Sequence, residues 1–599
     1  MSSKRVVPIK YINRDYASIR EALIEHAKRY YPDTYKDFSE PGLGSLIIDS
    51  VSYVGDVLSF YLDYQTNESF PDTALEYNNI LRHAKSYGYR FLGNPSSYGA
   101  VQVFVLVPAL TNALGPDSRY MPVLKKGSTF NSTAGASFIL NEDVDFSSST
   151  DFVAAQVNAQ TGKPTSYAVR SSGHVISGAL GVEYQQIGAY QKFLKLQLTA
   201  KNVSEIISVI DAEGHEYFEV THLSQNTVLR SIINHDENTR NYANNLLRPY
   251  IVPRRFVVDR DRTYTTLMFG SGTDATLSES SVAEPSKVAL NLYGKQYVSD
   301  TSFDPTKLLA TDKYGIVPAN TALRIVYRYN NVDNVNVSSG ALSVVGKTDF
   351  QFRNTVGLDR SQMQAVQSSL EVNNDVPIVG DVTLPSVEEV KVRMVDSFAA
   401  QSRAVTEQDY KALVYAMPQS FGAIKRVGVA KGKTDSSTRT LNLYVVSEDA
   451  TGVLTQTNDA IKENLRFWLI KNKMINDVVD IHDAKIINLA IEFEFMAASD
   501  RDKYEVYKRA VAALKDFFSN TSNVGEDFYI TDVYSVLRQV DDVLDVTKVK
   551  VTQKTGANYS SVQFDVDSNT SADGRSIRCP ANCIFEVKYV WDDVKGNVI

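Results

Sequence analysis

Apolar residues recur at spacings of three and four through the first 95 positions, and the period changes to two beyond them. Asp15 is an N-cap candidate, and Tyr16, Ile19, Leu23, Ala27 and Tyr30 then form one helical stripe that Pro32 stops. The run Phe38–Gly44, with Glu40, Pro41 and Gly42 at its centre, reads as a turn. A longer helix is predicted over 45–65, where Ile47, Val51, Val54, Leu58 and Tyr61 make a heptad seam. Gly55 beside that seam costs about 1 kcal/mol relative to Ala. A close helix neighbour would explain it, so Gly55→Leu is expected to block assembly while barely altering the isolated chain. Ser69 and Asp72 resemble a capping box for a third helix carrying Leu75, Ile80, Leu81, Ala84 and Tyr87, with Gly88 as its C′ residue. A helical segment this small is marginal alone, which predicts that its stripes pack against partner chains as well.

Val101, Val103, Val105 and Val107 then alternate with Phe104 and Leu106, as in a strand buried on both faces. Further strands are predicted at 194–198, 206–210, 217–220, 256–258 and 323–329. Residues 145–180, rich in Ser, Gly, Ala and Thr, read as a surface insertion or loose β-structure, and 270–287 as a loop. Beyond 390 the pattern is mixed. Thr406-Glu407-Gln408-Asp409 has the form of a capping box, and Tyr410, Leu413, Val414 and Met417 follow it to Pro418. Strands are expected at 424–429, 441–446, 486–495, 546–551, 562–566 and 585–590. Helices are expected at 460–470 and 504–518, with a short one capped by Thr531. The fold class is therefore multidomain α+β: a helical bundle segment (1–95), a β-rich central region with loop insertions (96–385), and two-layer α+β domains at 386–498 and 499–599.

Length agrees with that count, since 599 residues predict three to five domains at about 100–200 residues each. A net charge of −8 excludes a general electrostatic nucleic-acid binder. The two cysteines, Cys579 and Cys583, exclude a disulfide scaffold and read as a pair of structural thiols. Met1–Lys10 is too short for a secretory apolar core, and no run of 18 apolar residues occurs. The expectation is an intracellular chain with no membrane insertion, unless it leaves the cell within a larger particle.

Candidate chemistry fails on spacing. Gly428–Thr434 resembles a P-loop but has three residues between its glycines instead of four, and it reads as a hairpin loop. His215, His222 and His235 have no i, i+4 partner for a metal. Asn141–Asp145 begins like a calcium loop, but Phe146 stands where Gly is needed. Asp49, Asp56 and Asp63 form a carboxylate stripe too widely spaced to share a metal, either a solvated face or an acidic docking strip. No catalytic residue, cofactor site or metal site is expected. Of 34 tyrosines, Tyr16, Tyr30, Tyr53, Tyr61, Tyr64, Tyr77, Tyr87 and Tyr89 crowd into the helical region. Strand propensity cannot explain them there, which favours an interface.

Several islands carry a family resemblance. They are Phe38–Asp49, Tyr53–Asp56, Asn67-Glu68, Ala84–Arg90, Leu267–Gly272, Ile316–Thr321, Val326–Arg328 and, most specific, Leu384–Lys391 with Phe398–Tyr410. Together they resemble the baseplate wedge proteins of contractile-tailed bacteriophages, the baseplate J-like family, in its long T-even-phage-like form. The resemblance implies a structural, non-enzymatic subunit of the virion tail baseplate, assembled in the host cytoplasm. Its implied partners are a second copy of itself, a second wedge protein joined through a helical bundle, a sheath-initiating baseplate protein and the tail hub. The inner ring so built would transmit the rearrangement that triggers sheath contraction. The bundle residues would be Tyr16, Ile19, Leu23, Ile47, Val51, Val54, Gly55, Leu58, Tyr61 and Leu75. Glu40, Pro41, Gly42, Phe398, Gln401, Arg403, Thr406, Asp409 and Tyr410 would be structural motif positions. The alternatives are a tail-associated hydrolase, which needs facing carboxylates, and a receptor-binding tail protein, whose usual repeats do not occur here.

Overall fold

The computed structural model describes residues 15–31, 42–110, 115–160, 162–233, 245–262, 264–273, 314–355, 357–401, 403–432, 439–498, 502–519, 522–556 and 558–598. Pro32, Glu40, Pro41, His235 and the predicted loop beyond residue 273 lie outside them. The chain divides into two compact units, one of residues 1–90 with 385–398 and one of 91–384 with 399–599.

The smaller unit is helical. Helix α1 (Tyr16–Tyr30) begins where expected, its cap Asp15 accepting the Ser18 N–H. Helix α2 (Leu43–Glu68) is longer than its seam predicted and starts from Gly42. Helix α3 (Tyr77–Ser86) has Gly88 past its end at φ +85°. The Ser69–Asp72 box does not form. Glu68, at the end of α2, serves instead. Its carboxylate accepts from the Leu75 N–H at 2.8 Å, the Glu76 N–H at 3.2 Å and Asn79 Nδ2 at 2.9 Å. These donors hold its pKa below the ordinary range, with the Asn79 amide contributing most. Most of a fourth helix, α4 (Val387–Ala400), belongs to this unit. Lys391 Nζ donates to the Asp72 carbonyl at 2.9 Å, and the Phe398 ring meets Tyr87 edge-on at 5.7 Å.

The larger unit opens with two antiparallel-dominated sheets. The first runs Leu342–Val345, Thr129–Ser132, Ser137–Leu140, Pro164–Ser177, Tyr98–Pro108, Glu371–Asn373, with Phe152–Val157 also on Pro164–Ser177. Its core holds the four alternating valines 101–107 with Phe130, Phe138 and Phe146. Phe104 and Leu106 on the other face are only half-buried. Of the stretch read as a surface insertion or loose β-structure, Phe152–Val157 is a strand exposed along its length, whereas Pro164–Ser177 is regular, pairing with Tyr98–Pro108 over eleven positions. At one position there a small residue is a packing requirement. A Cβ on Gly173 would stand 2.5 Å from Val144 Cγ2, so the strand can lie against Val144 only with glycine at that point. The second sheet runs from Ala179–Gln186 through Ala322–Tyr329 and Val203–Ile210 to Lys195–Gln197. Side chains draw its two ends together: Gln185 Nε2 donates to the Gln197 carbonyl at 2.9 Å, and the Thr199 N–H to Glu183 Oε2 at 3.2 Å.

Two α+β layers follow. In the first, Arg439–Glu448 pairs antiparallel with Arg426–Lys431 and parallel with Asp477–Asp483, beneath helices Glu407–Tyr415 and Asp459–Ile470. In the second, Lys485–Ala497 pairs antiparallel with Val543–Gln553 and parallel with Cys583–Glu586 and Val594–Val598, beneath Lys503–Ser519 and Ile530–Arg538. Three expectations fail here. Thr531 lies inside its helix, whose N-cap Tyr529 makes no side-chain cap bond. The strand expected at 585–590 ends at Glu586, and a short helix Val590–Asp593 precedes the last strand. Residues 562–565 form no strand, because the Gln553 side chain supplies their hydrogen bonds, accepting from the Phe564 N–H at 2.8 Å and donating to the Val562 carbonyl at 2.5 Å.

Candidate assembly interface

Helix α2 turns its polar side inward. Ser45 in its first turn and Ser52 further along are buried, and Asp49 between them pairs with Arg20 of α1 (Oδ1–Nε 2.5 Å). The Arg20 hydrogen bond leads in holding the Asp49 carboxyl below its ordinary pKa. At Asp49, then, a third of the side chain stays exposed, but the carboxylate stripe is paired with the neighbouring helix. The Ser52 hydroxyl donates to the Ile48 carbonyl at 2.7 Å, which leaves that face flat and lets α1 approach closely.

The apolar side of α2 faces outward. Ile47, Val51, Val54, Leu58 and Tyr61 are between 50% and 61% exposed. A second row, Leu43, Leu46, Tyr53 and Phe60, is between 62% and 75% exposed. Its spacings of three and seven place it beside the first as a separate seam. Sequence reasoning missed this row. The signal for it was the complementary stripe Ser45, Ser52, Ser59, which repeats every seven residues and marks the face that needs no further cover. Tyr16 is also exposed, Ile19 and Leu23 of α1 are half-buried, and Leu75 lies outside α3 and is exposed. An exposed apolar surface this continuous is the mark of an interaction site. By length and composition α2 could also cross a membrane, which unbroken apolar runs did not reveal. The charge pair and serine face, however, belong to a helix packed on one side only.

Gly55 behaves differently from expectation. A Cβ there would lie 3.2 Å from Ile19 Cδ1, so the close neighbour is the chain's own α1. Gly55→Leu should therefore pry α1 from α2 and lower the isolated chain's thermal midpoint, by an overpacking cost of about 1–3 kcal/mol. An unchanged midpoint would show that α1 yields freely.

Five of the motif residues, Gln401, Arg403, Thr406, Asp409 and Tyr410, make hydrogen bonds within the chain. Thr406 accepts the Asp409 N–H at 3.2 Å, and Asp409 accepts the Thr406 N–H at 2.8 Å, completing the capping box. Gln401 closes α4 at φ +47° and accepts from Arg403 Nη2 at 3.2 Å. Tyr410 is fully buried and donates to Asp477 Oδ2 at 2.7 Å.

The chemical candidates are absorbed into structure. Gly428 lies in a hairpin strand. His215 pairs with Asp211 at 3.1 Å, Asp143 with Lys125 at 2.8 Å, and Glu142 with His174 at 2.7 Å. Among the described residues no group of three His, Cys, Asp or Glu is placed to hold a metal. Cys579 and Cys583 are free thiols, and burial pushes Cys579 up to about 12.

No curated protein sequence matches the chain. A cryo-EM structure of the anti-feeding prophage (AFP) baseplate, 6-fold symmetrised, aligns over 95% of this chain and 90% of that one, at 11% identity and a TM-score of 0.24. That superposition is too loose to carry an argument. Residues 15–86, the segment that holds α1, α2 and α3 with its outward apolar rows, match the family of the bacteriophage baseplate protein, N-terminal domain, and are similar to that domain.

Proposed function

We propose that the chain is a structural subunit of a contractile-tail baseplate wedge. Through α1 and α2 it joins a helical bundle with a second copy of itself and a second wedge protein, and so builds the inner ring around the hub. In the virion it would meet a sheath-initiating protein and pass on the rearrangement that starts contraction, after assembly in the host cytoplasm. The working segments are 1–95, 96–385, 386–498 and 499–599, with α4 added to the first by its packing. The observation that carries this reading is the outward face of α2: two adjacent apolar seams accommodate two further helices, while the third side is already taken by α1.

The test is size-exclusion chromatography with mass measurement on the full chain, alone and co-expressed with its neighbouring tail proteins. A dimer or heterotrimer is expected. A monomer under every condition would overturn the proposal.

A further inference from the structure

A cleft of about 200 Å³ lies between the two α+β layers, lined by the Thr451–Val453 turn of the first and by helix Lys503–Ser519 and the short helix Val590–Asp593 of the second. Leu489 and Phe585, buried in the core of the second layer, line it, as do Phe518 and Val590 on the two helices. The cleft is smaller than a typical small-molecule pocket of about 300–1,000 Å³. It has room for a single large apolar side chain, the kind of anchor that carries most of the energy at a protein interface.

Two cations line the cleft, Lys515 and Lys588. Lys515 is exposed on its helix. Lys588 Nζ donates to the Asn558 carbonyl at 2.6 Å, a neutral partner that leaves its charge uncancelled. Glu586 lines the cleft as well, but both of its oxygens are engaged, Oε1 by the Leu454 N–H at 2.7 Å and Oε2 by Asn488 Nδ2 at 2.8 Å. The first of these bonds ties the two layers together, so Glu586 holds the walls of the cleft and the lysines are left to meet an incoming carboxylate.

Beside the cleft stands Trp591. Its short helix is pinned, because the buried Asp593 accepts the Tyr589 N–H at 2.8 Å and the Tyr559 hydroxyl at 2.7 Å. This fixed helix lines the cleft through Val590 and still leaves Trp591 56% exposed. Trp591 is one of two tryptophans in the chain. An indole held in solvent on a pinned element is the residue type that anchors interfaces.

We propose that this cleft is a docking pocket for an extended segment of a partner protein, which places one large apolar side chain against Phe518, Phe585 and Val590, sets a neighbouring carboxylate on Lys515 and Lys588, and packs along Trp591. The proposal does not depend on the seams of α2.

The probes are two acetylated and amidated tetrapeptides, Gly-Phe-Asp-Gly and Gly-Phe-Lys-Gly, each with a para-fluorinated ring, and para-fluorophenylpropanoate as the free acid. Fluorine NMR line broadening, on titration with the full chain, reads their binding. The Asp peptide should bind about fivefold more tightly than the Lys peptide, the ratio expected for one exposed charge pair. Val590→Trp, which fills the cleft, should abolish binding of the Asp peptide. Lys515→Glu changes an exposed position and leaves the fold intact, and it should erase the preference for Asp over Lys. No binding, equal binding of the two peptides, or a preference that survives Lys515→Glu would overturn the pocket. Tighter binding of the free acid than of the Asp peptide would make the cleft a small-molecule site and overturn it equally.

Discussion

Val51→Lys with Leu58→Lys should abolish partner binding and leave the isolated chain as stable as before. Both side chains are half or more exposed on the first seam of α2, so lysine there disturbs no internal packing. Surface changes of this kind stay within about 0.5 kcal/mol of stability. At the centre of a helical interface each buried cation would cost at least about 2 kcal/mol of binding, roughly thirtyfold, and the pair about a thousandfold if additive. Ser52→Leu is the opposing control. Ser52 is fully buried on the face that meets α1, so this variant should lower the thermal midpoint of the chain itself. Co-purification and thermal melts read the two outcomes separately. If the double lysine variant still assembled at the normal ratio, the outward seams of α2 would not be the interface.

Tyr410→Ala should destabilise the first α+β layer by about 3–5 kcal/mol. The ring is fully buried in the core that also holds Leu413, Leu443 and Leu465, and removing it from a close-packed interior leaves a cavity. The phenol also donates at 2.7 Å to Asp477, which is itself buried. Tyr410→Phe isolates that bond and should cost about 1.5–3 kcal/mol, the range for a donor to a charged acceptor. Urea denaturation of the full chain followed by far-UV circular dichroism measures both. A phenylalanine variant as stable as the original would show that Asp477 replaces the phenol with another donor at no cost. If the motif around residues 398–410 acts on stability, partner binding at native temperature should be unchanged in both variants.

Local signals were legible without coordinates. The Asp15 cap, the Thr406–Asp409 box and the Gly88 terminus each involve residues within four positions of one another, so their hydrogen bonds are implied by adjacency. The alternating valines 101–107 reported a buried strand face for the same reason. The errors arose where the partner is distant in sequence. Glu68 displaced a plausible local box because the end of α2 reaches the start of α3. Gln553 took over the hydrogen bonds of a segment nine to eleven residues away. Gly173 looked like loop composition because Val144, which requires it, lies far upstream.

The same division applies to α2. Its sequence alone determined that a long helix exists, that an apolar seam runs along it and that Gly55 needs a close neighbour. Tertiary structure alone decided that the neighbour is α1, that Asp49 and the serines face it, and that the seam therefore points outward. Periodicity records which residues share a face. Which face is covered depends on what packs there, and for α2 the Arg20–Asp49 pair and the small serine surface settle it.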